Sequence, residues 1–287
     1  MIDQTAKRIA YYPGCSVTGT AVEFDQSTRA LCAALGVELI EIPDWNCCGS
    51  TPAHSYDPLL GAALAGRNLA MAEEMGLDVV MTPCPSCLKA LKEALRKYEE
   101  KQHSFLDILQ MPFSGQIRAI SVLQLLYEDI SPKTIREQIR YRLTNTVIVP
   151  YYGCLLSRPP EFARFDDPVP EFPFKTECCG AAYGVTQNHI VGKMTGRILD
   201  MARRLGAAAV AVACPLCQQN LDLRQSQVNR FWHTTFQMPV VYITQILGFA
   251  LGIDPKKLGL DKLFVSADDL FLETSEPLEN PTESKSV

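Results

Sequence analysis

Apolar residues alternate or run unbroken over residues 8–12, 37–42, 79–82, 146–151, 207–213 and 240–243. Each stretch is strand length and is bounded by glycine, proline or polar residues, so each predicts a β-strand. Residues 22–35 instead place apolar side chains at helical spacing and stop at Gly36, a usual helix end. Asp57-Pro58 pairs an N-cap residue with a proline suited to the first helical position, and predicts a helix to about residue 75, closed by Gly76. Pro83 breaks the strand 79–82 just before Cys84, and Pro85 again suits a first helical position. Cys84 is therefore predicted to cap a helix reaching about residue 101. Glycine, serine and proline loosen residues 102–116, and two short helices, 120–128 and 131–142, close the first half.

The second half repeats this plan, with a strand at 146–151, a strand at 207–213, a helix from Pro215 and a strand at 240–243. The match is visible in the residues. Gly66-Arg67-Asn68-Leu69-Ala70-Met71-Ala72 and Gly196-Arg197-Ile198-Leu199-Asp200-Met201-Ala202 stand at an offset of 130, as do Gly76 and Gly206. Gln245-Ile246-Leu247 echoes Gln124-Leu125-Leu126. A period this long implies two pseudo-equivalent lobes rather than a solenoid. The expected fold is α/β, with two pseudo-repeated lobes whose small, mostly parallel sheets are flanked by helices. The expected units are residues 1–142, residues 143–272, and a disordered tail at 273–287, which is rich in Glu, Ser, Pro and Thr.

Cysteine placement changes the picture most. Ten of the eleven cysteines form two sets of five in one order: Cys15, Cys47-Cys48-Gly49, Cys84-Pro85-Ser86-Cys87, then Cys154, Cys178-Cys179-Gly180, Cys214-Pro215-Leu216-Cys217. Each set opens on tyrosines followed by Gly-Cys. Thirty-one residues separate Cys15 from Cys47, but only twenty-three separate Cys154 from Cys178. The shorter gap is proline-rich and lacks the helical pattern of 22–35, so the second site is expected to be less covered on that side. Cys32, inside the helical pattern, reads as a buried apolar residue.

Composition sets the bounds. With 47% hydrophobic residues, 21% charged residues and a net charge of -5, the chain reads as a soluble globular protein with no reason to expect nucleic acid or an anionic membrane as partner. The N-terminus does not read as a secretory signal, and the longest apolar run, 238–253, is too short to span a bilayer and reads as a core strand and helix. The expected location is the cytoplasm, with peripheral attachment to the inner face of the membrane left open. In a reducing compartment, eleven cysteines read as metal ligands or redox groups rather than disulfides.

A Cys-Pro-x-Cys pair at a helix start brings two sulfurs to one centre, and the helix N-terminus favours the thiolate form. Vicinal cysteines diverge and seldom chelate one ion together, and five thiolates exceed the four that tetrahedral zinc accepts. An iron–sulfur cluster, with several irons, can use divergent sulfurs and more of them. A scaffold stapled by two zinc ions remains the alternative, leaving one cysteine idle in each lobe. His54 and His189, each within about ten residues of a Cys-Cys-Gly, could protonate a departing thiolate; the simpler reading is a surface histidine. Lys175 and Lys193 read as solvated lysines. No Gly-x-Gly-x-x-Gly fingerprint is present.

The doubled cysteine pattern, together with Tyr-Tyr-Gly-Cys-Leu-Leu at 151–156 and Cys-Pro-Leu-Cys at 214–217, resembles the CCG domains found in the B component of heterodisulfide reductases. The resemblance implies a noncubane [4Fe–4S] cluster on each complete set of five. Cys15, Cys47, Cys48, Cys84 and Cys87 would hold one, and Cys154, Cys178, Cys179, Cys214 and Cys217 the other. It further implies an oxidoreductase subunit acting on a small disulfide, a thiol or a protein-bound sulfur. Its partners would be a subunit with cubane iron–sulfur clusters and a flavin subunit, with no flavin on this chain. Similar doubled domains in succinate dehydrogenases and fumarate reductases imply a second expectation, electron transfer to or from a quinone or thiols. No catalytic residue beyond the cluster ligands is expected.

Overall fold

The computed structural model describes residues 7–50, 52–160, 172–273 and 275–278. Its first half runs β1 (Lys7–Tyr11), α1 (Gly14–Gly19), α2 (Val22–Ala34), β2 (Val37–Glu41), α3 (Pro52–Tyr56), α4 (Pro58–Glu74), β3 (Val79–Thr82), α5 (Pro85–Leu109) and β4 (Arg118–Ser121). There follow α6 (Val122–Gln124), which continues as a π-helical turn over Leu125–Ile130, then α7 (Pro132–Glu137) and β5 (Tyr141–Leu143). The second half holds β6 (Ile148–Tyr151), α8 (Asn188–Arg204), β7 (Ala209–Val212), α9 (Pro215–Leu221), α10 (Gln225–Trp232), β8 (Val240–Tyr242), α11 (Ile243–Ala250) and β9 (Ser275–Pro277). The fold is α/β with small, mostly parallel sheets flanked by helices, as the alternating pattern predicts.

Two parallel sheets carry the cysteine loops. The first has the order β2-β1-β3-β4 and the second the order β6-β7-β8. Residues Ala10 and Tyr11 pair with Val80 and Met81, and Ile148 to Tyr151 pair with Ala209 to Val212, so β1 and β3 correspond to β6 and β7. Among the described residues the second sheet has no counterpart of β2, and no helix stands where α2 does. Most of the intervening stretch, 161–171, lies outside the described residues.

The repeated glycines at the 130-residue offset have a packing cause. A Cβ on Gly66 would lie 2.4 Å from the ring of Phe105, and one on Gly196 would lie 2.1 Å from the indole nitrogen of Trp232. In each lobe the long central helix therefore seats an aromatic side chain against bare backbone. The echoed glutamines also share a task. Gln124 Oε1 accepts from Ser121 N at 3.2 Å and Gln245 Oε1 accepts from Tyr242 N at 2.9 Å, so each folds back to cap the end of its sheet's last strand.

Some elements differ from the pattern-based expectation. Helix α5 runs on to Leu109 through a kink at Lys101 (φ −143°, ψ 46°), because Phe105 and Leu109 bury against the first lobe's core. Residues 118–121 form the edge strand β4 instead of starting a helix: Ala119 and Ile120 pair parallel with Val80 and Met81 and are buried. Helix α7 stops at Glu137, and Tyr141–Leu143 then pairs antiparallel with Ser275–Pro277, inside the stretch expected to be a tail. Residues 279–287 of that stretch lie outside the described residues.

The lobes are not separately packed. One core joins Ile9, Tyr11, Phe24 and Leu31 of the first half to Tyr151, Val210 and Tyr242 of the second. Phe24 stacks on Tyr242 with ring centroids 4.0 Å apart, and Ser27 Oγ lies 2.7 Å from Thr244 Oγ1, all four side chains being buried. Helix α2 therefore serves both halves. Cys32 sits in this core, and burial pushes its thiol up to about 12, as suits an apolar residue.

Candidate metal centres

Both cysteine sets lie at the C-terminal ends of the parallel strands, where loops of a parallel sheet converge. In the first lobe β1 ends at Tyr11, and a turn places Cys15 on α1; the loop after β2 carries Cys47 and Cys48; β3 leads to Cys84, the N-cap of α5, with Cys87 in the first turn. In the second lobe Cys154 follows β6, Cys178 and Cys179 precede α8, Cys214 caps α9, and Cys217 lies in its first turn. All ten cysteines singled out from the sequence come together as two groups of five.

Within each group one thiol is central. Cys87 donates to Cys48 and Cys84, and Cys217 donates to Cys179 and Cys214; Cys179 Sγ lies 3.6 Å from Cys217 Sγ. Donation from Cys87 draws the Cys48 thiol down to about 6, and donation from Cys217 draws Cys179 down to about 7. Both central thiols are raised for the same reason, since a donor resists losing its proton. At the rim, burial pushes Cys154 up to about 12, assisted by Cys178, while burial together with Cys47, Cys48 and Cys84 raises Cys15. Cys48, Cys84 and Cys87, like Cys179, Cys214 and Cys217, are buried. Cys15 is exposed, and Cys47, Cys154 and Cys178 are half-buried. Each centre is thus a buried sulfur floor with its less buried cysteines at the rim, Cys15 and Cys47 in the first and Cys154 and Cys178 in the second.

Glycine makes the floor possible. Gly14 and Gly153 adopt φ +72° and +69°, and a Cβ there would lie 2.9 Å from Cys87 Sγ or 2.8 Å from Cys217 Sγ. Two tyrosines that sequence reasoning noted without assigning a role turn out to be equivalent. Tyr12 OH donates to Asn46 O at 2.8 Å, and Tyr151 OH donates to Glu177 O at 2.7 Å, so each ties its turn to the residue just before the Cys-Cys pair. The Asn side chains were missed altogether. Asn68 bridges Asn46 N and O (3.0 and 3.1 Å), whereas Asn220 Nδ2 reaches Cys179 O and Sγ (3.1 and 3.6 Å). Only the repetition of Tyr before Gly-Cys offered a signal in the sequence; the Asn positions do not repeat.

His54 and His189 are exposed on α3 and α8, as is Lys193, and Lys175 is half-buried. Lys175 O accepts from Tyr152 N and Gly153 N at 2.8 and 3.0 Å, a backbone role in shaping the second turn.

The donor set fits a polynuclear metal core. Five thiolates this close would repel strongly unless cations lay among them. Among the described residues no three His, Cys, Asp or Glu side chains converge on a single ion-sized point. Five cysteines in one group exceed the four ligands of a tetrahedral ion, and an iron–sulfur cluster with several irons can use more sulfurs.

The fold and these centres define a duplicated α/β cysteine-rich protein. A family profile described as the CCG cysteine-rich domain matches residues 9–92 and 168–222. The chain is 32% identical to the 8-methylmenaquinol:fumarate reductase membrane anchor subunit of Wolinella succinogenes, over 92% of this chain and 99% of that one. It is 28% identical to the B component of the ferredoxin/F(420)H(2)-dependent CoB-CoM heterodisulfide reductase of Methanosarcina acetivorans, over 89% and 93%. A protein of Archaeoglobus profundus described as like the heterodisulfide reductase B component is 27% identical, over 85% and 91%. The chain belongs to the CCG family of doubled cysteine-rich proteins, which includes the B component of heterodisulfide reductases. A crystal structure of a hypothetical protein from Helicobacter pylori shares the fold, with a TM-score of 0.63 at 12% identity over 91% of this chain and 52% of that one.

Proposed function

We propose that the chain is an iron–sulfur subunit of a hetero-oligomeric oxidoreductase, with one [4Fe–4S] cluster of the noncubane type in each lobe. Cys15, Cys47, Cys48, Cys84 and Cys87 would hold the first, and Cys154, Cys178, Cys179, Cys214 and Cys217 the second. The observation that carries this reading is the paired crowding of five thiols, each group built around one buried central sulfur. When bound, such clusters would supply one-electron steps at iron, two of which, with two protons, convert a disulfide to two thiols.

The chain's own residues prepare that chemistry. Helices α5 and α9 set Cys84 and Cys214 at their N-caps and Cys87 and Cys217 in their first turns, so each pair presents two sulfurs to one centre. Tyr12 and Tyr151 hold the Cys-Cys loops against the first turns. Cys15 in the first centre, and Cys154 and Cys178 in the second, are the less buried cysteines at which a ligand would approach. The substrate class favoured by the heterodisulfide reductase relatives is a small disulfide, a thiol or a protein-bound sulfur. Electrons would arrive through a cubane iron–sulfur subunit from a flavin subunit.

A second reading draws on the 32% identity to a fumarate reductase subunit along nearly its whole length. On this reading the clusters pass electrons between a quinone or thiols and a flavin subunit of the succinate dehydrogenase or fumarate reductase type. Among the described residues no helix is long and apolar enough to cross a membrane. Attachment at the membrane surface is the form this reading takes.

The test is anaerobic purification with iron, acid-labile sulfide and zinc measured on one sample, followed by EPR after thiol treatment and oxidation. About eight irons and eight sulfides per chain are expected from two four-iron clusters. A thiol-responsive EPR signal supports sulfur chemistry, and a signal responsive only to quinol supports the second reading. Two zinc ions without sulfide would refute both.

A further inference from the structure

Among the described residues two carboxylates are buried, and they are neighbours in the fold. Glu23, 6% exposed, comes from α2 in the first half; Asp222, 1% exposed, follows α9 in the second. Each lies within electrostatic reach of the other. A buried carboxylate is costly unless it is paired or well hydrogen-bonded. Asp222 meets that condition: Oδ2 accepts from Gln218 Nε2 at 2.8 Å and from Phe264 N at 2.9 Å, and Oδ1 accepts from Val265 N at 2.9 Å. Glu23 does not. It accepts from its own backbone amide, and its charged neighbours are Asp222 and Lys262 of the turn Leu260–Lys262. Asp25, on the same helix, is taken up by Arg29 and Tyr11. Burial raises both carboxyls, and the charge on Asp222 raises Glu23 further. Of the pair, Glu23 is the one set up to hold a proton.

Tyr242 connects this pair to the second centre. Its ring is fully buried and stacks on Phe24, the residue after Glu23, with centroids 4.0 Å apart. Its hydroxyl is also buried and has no hydrogen-bond partner among the described residues, an arrangement that native proteins seldom leave without a use. Burial holds that hydroxyl protonated, and so do its charge neighbours, Glu23, Cys214, Asp222 and Cys217. Two of those four are cysteines of the second centre. Glu23 is fixed from outside by Gly259, where a Cβ would lie 2.8 Å from Glu23 Cβ. The first centre is built otherwise. By the echoed glutamines, the residue matching Tyr242 is Ser121, a short side chain whose Oγ accepts from Gln124 N at 3.1 Å and is spent on capping α6.

We propose that Glu23 takes up a proton when the second cysteine centre takes up an electron, with the Tyr242 hydroxyl linking the two. The proposal rests on the iron–sulfur reading of that centre. One electron from the iron–sulfur partner and one proton from solvent, on the side of exposed Lys262, convert an oxidised centre and a Glu23 carboxylate into a reduced centre and a Glu23 carboxylic acid. No net charge is then added to a buried region, where an unbalanced charge is expensive. Two such events match the two electrons and two protons that turn a disulfide into two thiols. Reduction tightens the hold of Glu23 on its proton, so raising the pH removes that proton and makes the centre harder to reduce. The pH window lies above the ordinary carboxylate range, because burial raises Glu23.

The experiment is redox titration of the anaerobically purified full chain, followed by EPR from acid to alkaline pH. The signals of the two centres are told apart by their loss from Cys87→Ser and Cys217→Ser. The second centre's potential is expected to fall by up to about 59 mV per pH unit, the value for one proton with one electron, and the first centre's to stay level. Glu23→Gln keeps the side chain's shape and is expected to flatten the slope. Tyr242→Phe keeps the stack on Phe24 and is expected to reduce the slope at least twofold. Glu38→Gln, exposed on β2, leaves both centres unchanged. Circular dichroism and iron content equal to wild type show that the variants are folded and loaded. Reduced-minus-oxidised infrared spectra of the wild type give a second readout: a carboxylic acid C=O band should appear on reduction and be absent from Glu23→Gln. A pH-independent second centre in iron-loaded wild type overturns this proposal and leaves the cluster reading standing. A slope that survives Glu23→Gln overturns it too, and a slope unchanged in Tyr242→Phe overturns the tyrosine's part. Iron-free protein overturns both the proposal and the cluster reading.

Discussion

The two cysteine centres are built alike and clothed differently. Each has a buried central sulfur, a glycine that lets that sulfur approach the backbone, and a tyrosine tying the first turn to the Cys-Cys loop. The first is wrapped by α1, α2 and β2, whereas the second has no described counterpart of α2 or β2. The difference teaches that α2 belongs to the second half's core as well as the first's. Helix α2 crosses to stack Phe24 on Tyr242 and to join Ser27 to Thr244, so one helix closes both halves. Among the described residues, duplication of the cysteine loops does not extend to their support.

If the centres are chemically independent, removing the central sulfur of one should spare the other. Cys87→Ser and Cys217→Ser are each expected to halve iron and sulfide per chain, and the double variant to abolish both. Loss of all iron from either single variant would mean that the two centres are loaded together.

The shared core can be broken directly. Phe24→Ala removes a fully buried ring and should cost about 3–5 kcal/mol. Thermal unfolding followed by circular dichroism should move down by roughly 10 °C or more as a single transition. Two separated transitions would show that the halves melt apart. Gly153→Ala is expected to act more locally. The left-handed backbone costs an alanine about 1–2 kcal/mol, and its methyl would also press on Cys217 Sγ. Iron should fall toward half, with the first centre's EPR signal retained.

Smaller differences sharpen the comparison. Asn220 reaches Cys179 Sγ, and in the first lobe Asn68 instead spans backbone groups of Asn46. Asn220→Ala should lower the second centre's reduction potential by on the order of tens of millivolts, since hydrogen bonds to sulfur raise it; Asn68→Ala should leave potentials alone. The smallest effect concerns helix capping. Asp57 caps α4 through Leu59 N and Leu60 N, whereas Gln187 at the start of α8 makes no side-chain cap. Gln187→Asp is expected to stabilise by about 0.5–1 kcal/mol, measured by urea unfolding.

What was legible in the sequence followed from local rules. Cys-Pro-x-Cys has one sensible place, at a helix start, and Asp57-Pro58 caps a helix in only one way. The ten cysteines therefore assembled as their spacing implied. Strand β4 was hidden because Arg118-Ala119-Ile120-Ser121 runs straight into the helical Val122-Leu123-Gln124 with no breaker between them. The crossing of α2 could not be read, since Ser27 and Thr244 are 217 residues apart and no periodicity reports such a contact.

The stacking of Phe24 on Tyr242 also sets an order for synthesis. A growing chain displays its whole first cysteine set once residue 87 has left the ribosome. At that moment the inner side of α2 still waits for residues 240–247. Until they emerge, apolar surface and five thiols are exposed together on an unfinished domain. Such a species is prone to aggregation and oxidation. Placing the closing strand and helix at residues 240–250 thus postpones completion of the first lobe until the second cysteine set has also been made, and metal loading is best timed to follow that point.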